Sequence, residues 1–198
     1  MKILVLDTET TGLDLTNHEI IQIGFLLIEM FHDNSYKVLS ESEIKIKPLH
    51  LRTADPSALS LNGFSAYDWK DSKPINEHFQ DIKEKIENAD VLLGQNLIFD
   101  LRFIKQAFEN FNEPPPKFPP YMDTKWMATQ LLNEGKLKST SMDRMCKHFQ
   151  IKFEGKAHTA LVDCKRTLAV WEKLSEQVVD IPAFTFISPY DPYVTKNK

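Results

Sequence analysis

Two acidic side chains near the start of the chain have the spacing of a shared metal site. Asp7 and Glu9 lie two residues apart at the end of the apolar segment 3–6. Side chains two apart on a strand point to the same face, so both carboxylates could bind one cation. Glu41 and Glu43 have the same spacing, and we interpret that pair as part of a solvated strand face. Because Asp7 and Glu9 follow an apolar strand, where an unneutralised pair is unfavourable, we interpret them as candidate metal ligands.

Three further groups lie later in the chain. Asp100 opens a helical pattern after the short apolar segment 91–93, and a role as a helix cap remains open for it. His158 and Asp163 are five residues apart. Five helical residues rotate by about 500°, so the two would not share a helix face, and His158 must precede the helix. A loop histidine beside a helix-held acid could act as a base next to a metal ligand, although an ordinary surface histidine is the alternative.

Four acids and one histidine at the ends of strands and helices match what two-metal phosphoryl transfer requires. Oxygen ligands select Mg²⁺ or Mn²⁺, and two such ions roughly 3.5 to 4 Å apart can bind both the attacking and the leaving oxygen at phosphorus. Filling an acidic cluster with cations would also let a chain of net charge −4 bind nucleic acid.

With these residues in place, the sequence resembles the DEDDh family of 3′–5′ exonucleases, which includes the proofreading epsilon subunits of bacterial DNA polymerase III and ribonuclease T. Three motifs carry the resemblance: residues 7–13 (DTETTGL), residues 95–100 (QNLIFD) and residues 158–163 (HTALVD). It implies an RNase H-like exonuclease fold, a mixed α/β architecture with a central five-stranded sheet flanked by helices. It also implies two Mg²⁺ or Mn²⁺ ions held by Asp7, Glu9, Asp100 and Asp163, with His158 as the general base.

The resemblance extends to the pocket for the terminal nucleotide. In the family, the backbone around Thr8 and Thr10 meets the terminal sugar, the residue matching Leu13 wedges beside the last base, and the residue matching Phe99 packs nearby. Residues 55–64 would form the floor of this pocket. The substrate-binding residues implied in this way are Thr8, Thr10, Leu13, Asn62, Asn96 and Phe99. Gln95 and Asn62 stand where relatives often have histidine, which leaves the substrate preference open.

The elements that must position these residues can be read from hydrophobic patterning. The patterns predict a meander of three antiparallel strands, a loop with a short helix, a helix feeding a brief strand, another helix stopped by prolines, and three final helices. The predicted strands are 2–7, 18–31, 36–47 and 91–93. The predicted helices are 75–89, 101–111, 124–133, 141–149 and 160–178. We interpret residues 1–180 as a single domain and residues 181–198 as a surface-hugging or frayed tail.

Composition limits the classes of protein that need to be considered. The chain has 198 residues, is 42% hydrophobic and 26% charged, and is therefore globular rather than disordered. No apolar run approaches the roughly 20 residues of a membrane span, so we expect a cytoplasmic protein without a membrane partner. The two cysteines, Cys146 and Cys164, are expected to be buried thiols. A dinucleotide-binding fold would need three glycines after the first strand, and a dehalogenase-type phosphatase would need Asp where Glu9 stands.

Net charge differs between the two halves of the chain. Residues 1–100 carry 9 basic and 17 acidic side chains, and the remainder carries 15 basic and 11 acidic side chains.

The resemblance favours hydrolysis at the 3′ end of single-stranded DNA, with a DNA polymerase subunit as a candidate partner. An exoribonuclease of the same family and a non-catalytic nucleic-acid-binding scaffold are the alternatives, and the oligomeric state is not indicated. Part of a basic set near the third motif could follow the phosphate backbone. This set is Lys136, Lys138, Lys147, Lys152, Lys156, Lys165 and Arg166.

Overall fold

The computed structural model describes residues 1–33, 35–155 and 157–178, and in them it has five strands and six α-helices. The strands are β1 (Lys2–Thr10), β2 (Ile20–Met30), β3 (Tyr36–Lys45), β4 (Val91–Gly94) and β5 (Tyr121–Asp123). The helices are α1 (Pro56–Asn62), α2 (Phe79–Glu87), α3 (Ile98–Asn110), α4 (Thr124–Asn133), α5 (Met142–His148) and α6 (Ala160–Ser175). Short 3₁₀ turns span Leu51–Thr53 and Ile75–His78.

The strands form one mixed sheet in the spatial order β3-β2-β1-β4-β5. The first three strands are the predicted antiparallel meander, while β4 pairs with β1 and β5 pairs with β4 in parallel. This confirms the expected mixed five-stranded sheet. Because β1, β4 and β5 are parallel, their carboxyl ends lie at the same edge of the sheet. Any side chains that follow these three strands are thereby brought together.

Two apolar cores cover the two faces of the sheet, and the alternation within β1 assigns its residues to them. Ile3 and Val5 are fully buried in a cluster that includes residues of α4, α5 and α6. Leu4 and Leu6 are buried in the opposite cluster, which includes residues of α2 and α3. Burying apolar groups on both faces makes β1 the central strand of the fold. The odd-numbered residues of β1 therefore point toward α6, and the even-numbered residues point toward α3.

The predicted helices are found with small shifts at their ends. The pattern predicted for 75–89 resolves into a 3₁₀ turn and α2, and α6 ends at Ser175 rather than at residue 178. Cys146 and Cys164 are buried and unbridged, as expected. Among the described residues, no helix combines the length and apolar character needed to cross a membrane. The domain boundary at residue 180 and the tail 181–198 lie outside the described residues.

Helix α6 lies close against the sheet at Gly24 of β2. A Cβ atom at Gly24 would lie 2.4 Å from the carbonyl carbon of Ala160 and 2.6 Å from the nitrogen of Leu161, which is closer than side-chain atoms can approach. Gly24 pairs with Asp7 across the β1–β2 ladder. The missing side chain thus allows the first turn of α6 to lie directly beside the row of the sheet that contains Asp7.

Two polar side chains of the sheet fix this first turn. Gln22 Oε1 accepts a hydrogen bond from the backbone N–H of Ala160 at 3.1 Å, and Glu43 Oε2 accepts one from Leu161 at 3.2 Å. These are two of the N–H groups that a helix start leaves without a partner inside the helix. The interpretation of Glu43 as part of a solvated strand face is therefore wrong, because its carboxylate holds the start of α6 against the sheet.

We expect Gly24→Ala to push the start of α6 away from the sheet. The overpacking should destabilise the protein by about 2 kcal/mol, which lowers Tm by about 4–8 °C at this chain length, and Mn²⁺ affinity should fall as well. Gly135→Ala is the control, because Gly135 has a positive φ of 73° but open space around it. The control should lose some stability through backbone strain and keep its Mn²⁺ affinity, as measured by thermal unfolding and calorimetry. An unchanged Mn²⁺ affinity in Gly24→Ala would contradict this explanation.

Candidate active site

The acidic residues and the histidine singled out by the sequence come together at the carboxyl edge of β1. Asp7, Glu9, His158 and Asp163 line one cleft of about 330 Å³. Potential ligand atoms of Glu9, His158 and Asp163 lie within 4.8 Å of one another. Asp100 is only 4% exposed and is close enough to raise the pKa values of both Asp7 and Glu9 through charge repulsion. Three separate parts of the chain thus contribute acids to one site.

Asp100 reaches the site from α3 and is held by β1. Its Oδ1 accepts two hydrogen bonds from Thr8, one from the backbone N–H at 2.8 Å and one from the hydroxyl at 2.7 Å. Thr8 points toward α3, whereas Asp7 and Glu9 point toward α6. The hydrogen bonds therefore tie an acid from one side of the sheet to the strand that carries the acids of the other side.

Asp163 is fixed by an arginine on its own helix. Its Oδ1 accepts a hydrogen bond from Arg166 at 2.7 Å, and the same guanidinium also donates to Asp143 at the start of α5. The Arg166 side chain is 2% exposed and lies over the ring of Phe153, at 4.5 Å from the ring centroid. This corrects the interpretation of Arg166 as part of a phosphate-tracking surface. It is instead a buried cation that joins α5 to α6 and orients Asp163.

Ion pairs further reduce the number of basic residues near the third motif that are available to contact a phosphate backbone. Lys165 pairs with Glu41 at 2.6 Å, and Lys136 pairs with Glu134 at 2.7 Å. Lys156 lies outside the described residues. Surface pairs of this kind contribute little to stability, but they lower the positive charge available to a polyanion. For Lys138, Lys147 and Lys152 a contact with the phosphate backbone stays a prediction.

His158 lies on the loop before α6, as its five-residue spacing from Asp163 predicts. Its backbone has a φ of 62°, and its N–H donates to Asp163 Oδ2 at 2.9 Å. The loop also packs closely on α6, because a Cβ at Gly155 would lie 2.7 Å from Val162 Cγ2. The hydrogen bond to Asp163, which belongs to the same sequence motif, therefore holds His158 over the cleft.

Burial is the largest cause that raises the pKa values of three of the clustered acids, Asp7, Glu9 and Asp100. It raises the pKa of Asp7 well above its ordinary value, that of Glu9 to about 8 and that of Asp100 to about 7. Repulsion among the acids adds to the effect at Asp7 and Glu9, whereas the hydrogen bonds from Thr8 lower the pKa of Asp100. Carboxylate oxygens that repel one another are the donors that hard divalent cations prefer. The donor set therefore fits a divalent metal ion.

The residues implied for the terminal-nucleotide pocket lie beside this cluster. Leu13 is 81% exposed in the turn after β1, as a wedging side chain requires, whereas Thr10 is buried and its hydroxyl donates to the carbonyl of Gly12. Asn62 is buried at the end of α1, and its amide donates to the carbonyl of Thr10 at 3.1 Å. Phe99 is half-buried in the first turn of α3. Helix α1 is thereby joined to the end of β1, which places Leu13 and Asn62 next to the strand that carries Asp7 and Glu9.

Sequence reasoning missed the part played by the turn after β4. Gln95 lines the cleft, donates to the carbonyl of Thr140 at 2.9 Å and accepts a hydrogen bond from Thr124. Asp123, at the end of β5, accepts hydrogen bonds from the backbone N–H groups of Asn96 and Leu97, both at 2.9 Å. In the sequence, these hydrogen bonds around the turn after β4 are indicated only by Asp123, an acid directly before a helical pattern. An acid at such a position is commonly a helix cap.

Comparison with known proteins agrees with this geometry. Residues 4–171 match the family described as Exonuclease, of the RNase T type. The chain belongs to this exonuclease family. Ribonuclease T of Haemophilus influenzae (strain PittEE) is 24% identical over 95% of this chain and 85% of the relative. The DNA polymerase III subunit epsilon of Buchnera aphidicola subsp. Acyrthosiphon pisum is 32% identical over 81% of this chain and 67% of the relative.

Solved structures agree on the fold of the exonuclease. The nuclease domain of 3′hExo, a DEDDh family member bound to rAMP, superposes with a TM-score of 0.72 at 15% identity, covering 89% of this chain and 93% of that one. E. coli Exonuclease I in complex with a dA16 oligonucleotide superposes with a TM-score of 0.72 at 17% identity, covering 90% of this chain and 41% of that one. The exonuclease therefore has the expected RNase H-like fold. Its 3′–5′ exonuclease activity follows from the family match and the relatives in sequence.

The buried pair between Arg166 and Asp163 should make a large contribution to stability. Arg166→Ala leaves the buried Asp163 carboxylate without its cation, so we expect a loss of about 3 kcal/mol and a Tm lower by about 6–12 °C. Lys165→Ala is the matched control, since it removes a neighbouring cation whose pair with Glu41 is exposed, and it should cost less than about 1 kcal/mol. Thermal unfolding measures both. An equal fall in Tm for the two substitutions would show that the buried pair of Arg166 stabilises the protein no more than the exposed pair of Lys165.

The raised pKa of Glu9 predicts a pH-dependent stability of the metal-free exonuclease. The folded state keeps a proton on Glu9 up to about pH 8, whereas the unfolded chain releases it near the ordinary value of 4.5. Stability is therefore lost as pH rises between these values. Glu9→Gln should reduce the fall in Tm between pH 5 and pH 8 by several degrees, with chelator present.

Glu113→Gln is the control for this experiment, because Glu113 is exposed beyond the far end of α3. It should leave the fall in Tm unchanged. Adding Mg²⁺ at pH 8 should stabilise the wild type more than Glu9→Gln, since the ion replaces the proton on the carboxylate. A wild-type Tm that does not fall between pH 5 and pH 8 would contradict the predicted direction.

Proposed function

We propose that this exonuclease hydrolyses the phosphodiester bond at the 3′ end of single-stranded nucleic acid, with DNA favoured, and releases nucleoside 5′-monophosphates. The observation that carries the proposal is the convergence of Asp7, Glu9, Asp163 and His158 in a single open cleft, with the buried Asp100 beside them. A cleft of this kind admits a chain end, and a nuclease that works from ends needs no groove that spans a duplex. The protein would use two Mg²⁺ or Mn²⁺ ions, which stabilise negative charge on the attacking and leaving oxygens when they are bound.

The assignment of roles follows the geometry of the acids. Asp7, Glu9, Asp100 and Asp163 would hold the ions, because their oxygens surround the same end of β1 from both sides of the sheet. Thr8 and Arg166 would keep Asp100 and Asp163 in place, since each donates hydrogen bonds to one of these carboxylates. Two ligands on a rigid strand and two on helix starts limit the movement of the site during a reaction.

His158 would act as the general base. The imidazole lies on a loop over the cleft, within 4.8 Å of potential ligand atoms of Glu9 and Asp163. From there, a neutral ring nitrogen can accept a proton from a water molecule near the acids. The backbone hydrogen bond from His158 to Asp163 holds the loop in register, so the base and the adjacent acid move together.

The terminal nucleotide would lie at the end of β1 against α1. Leu13, with its exposed side chain, would contact the last base, while Thr8, Thr10 and Asn62 would shape the space for the sugar. Phe99 and Asn96, at the start of α3, would limit the pocket on the other side. Residues 1–180 would then act as one catalytic domain.

Two kinds of substrate are supported by different relatives. The Buchnera relative is named a DNA polymerase III subunit, and Exonuclease I was solved with a DNA oligonucleotide. The Haemophilus relative is named Ribonuclease T, and the 3′hExo domain was solved with rAMP. RNA trimming is therefore the second candidate function. We favour DNA, because the relative named as a polymerase subunit has the higher identity, and a polymerase subunit is then the candidate partner.

The proposal predicts that replacing a metal ligand and replacing the general base reduce turnover to different extents. Asp7→Asn should abolish turnover, because it removes an oxygen ligand from the strand that carries half of the acids. His158→Ala should keep metal and oligonucleotide binding but lose roughly 100-fold to 10,000-fold in rate, the usual contribution of a general base. His32→Ala is the control, since His32 is exposed in the β2–β3 turn at the opposite end of the sheet, and it should be unaffected.

These variants are compared on labelled single-stranded DNA and RNA of the same sequence, each with Mg²⁺, Mn²⁺ or chelator, followed by sizing of the products. Release of single nucleotides from the 3′ end, faster on DNA, is the expected result. Faster release from RNA would select the second candidate function. Products cut internally, or full activity of Asp7→Asn, would refute the proposal.

A further inference from the structure

The three tryptophans of the chain differ sharply in exposure. Trp69 and Trp171 are each 6% exposed, whereas Trp126 is 60% exposed in the first turn of α4. The first two contribute to the packing of the domain. An indole ring this exposed adds little to a core, and tryptophan is enriched at interfaces because its ring is apolar while its N–H can still reach water.

The first turn of α4 is fixed to the turn that lines the catalytic cleft. Asp123 caps α4 by accepting a hydrogen bond from Lys125 N–H at 2.9 Å, and the same carboxylate accepts the N–H groups of Asn96 and Leu97. Lys125 Nζ also donates to Asn96 Oδ1 at 3.1 Å. One peptide step of about 3.8 Å separates Asn96 from Gln95, which lines the cleft.

This arrangement places a cation and an aromatic ring at consecutive positions in the first turn of α4, at the active edge of the sheet. The α4 start follows β5, whose carboxyl end lies at the same edge as those of β1 and β4. Lys125 and Trp126, which we call the upstream rim, are both exposed. The proposed terminal-nucleotide pocket lies at the end of β1 against α1, whereas the upstream rim lies beyond β4. A strand whose 3′ end fills the pocket can therefore continue past Gln95 toward the rim.

We propose that the upstream rim binds nucleotides on the 5′ side of the scissile bond, with the Trp126 ring stacked on a base and the Lys125 ammonium bound to a phosphate. This inference rests on the proposed function. Stacking on an aromatic ring tolerates any base, and a neighbouring cation that follows the backbone is the usual companion of such a platform in single-strand binding. Since stacking engages the base alone, the rim binds DNA and RNA equally. A protein partner at the rim is the competing occupant, and the test separates the two.

Because Trp69 and Trp171 are buried, Trp126 is the tryptophan on which a bound nucleotide can stack, so quenching of the intrinsic fluorescence by an oligonucleotide reports on Trp126. The full chain with Asp7→Asn and Mg²⁺ is titrated with thymidine monophosphate and with an eight-residue oligothymidylate. We expect the octamer to quench the indole fluorescence and the mononucleotide to leave it unchanged, because a single nucleotide occupies only the terminal pocket. Quenching by the octamer should disappear when Trp126→Phe is added, while octamer affinity is retained.

Trp126→Ala should bind the octamer roughly tenfold more weakly and bind the mononucleotide as before. Lys125→Ala should reduce the salt dependence of octamer binding by about one unit of slope. The matched controls are Phe31→Ala, an exposed ring at the far end of β2, and Lys136→Ala, an exposed lysine just beyond the end of α4. Neither control should change octamer binding.

The inference is overturned if the wild type cleaves oligonucleotides and the Asp7→Asn parent binds the octamer, while adding Trp126→Ala to that parent leaves the octamer affinity unchanged. Octamer binding without quenching would equally exclude the rim from the nucleic-acid path and leave a protein partner as its occupant. Failure of the proposed function has a different signature, because the wild type would then release no nucleotides from either DNA or RNA.

Discussion

Repulsion among four carboxylates at one end of β1 is the constraint on which the rest of the structure depends. Isolated acids avoid such proximity, and burial makes it more unfavourable. Burial, followed by repulsion from the neighbouring acids, raises the pKa values of Asp7 and Glu9, and burial raises that of Asp100. A fold that maintains the cluster must supply stability elsewhere, and it must fix each acid from a different direction so that the group cannot spread apart.

The position of β1 in the centre of the sheet meets both requirements. Through the apolar cores on its two faces, α3 and α6 pack against the same strand. Each helix carries one of the acids near its first turn. Asp100 comes from the face of Leu4 and Leu6, and Asp163 comes from the face of Ile3 and Val5. The site thus depends on the alternation of a single strand, whose odd positions carry two acids and whose even positions bind the third.

The sequence alone predicts those features of the site that depend on the spacing of neighbouring residues. The i, i+2 spacing of Asp7 and Glu9 fixes their common direction on one strand. The five-residue spacing of His158 and Asp163 excludes a shared helix face and places His158 before α6, so both features could be read without coordinates. Arg166 could not be read in this way. Its type and its neighbours match an exposed basic helix face, and only the packing of α5 against α6 shows that it is buried. The same holds for Glu43, whose partner is more than a hundred residues away, and for β5, which is too short for a periodic signal.

Charge balance links the acidic cluster to the surface around it. The four carboxylates of the site, the Asp143 carboxylate and the Arg166 guanidinium leave a formal charge of 1 − 5 = −4 when all are ionised, which repels a phosphodiester. Protons offset this charge in acid, and divalent cations offset it near neutral pH, where they also create a region that attracts phosphate. A lysine inside the cluster would neutralise the acids permanently and compete with the cations. Basic groups that contact substrate must therefore lie outside the cluster, and Lys125, which contacts Asn96 rather than any of the four acids, is placed in this way.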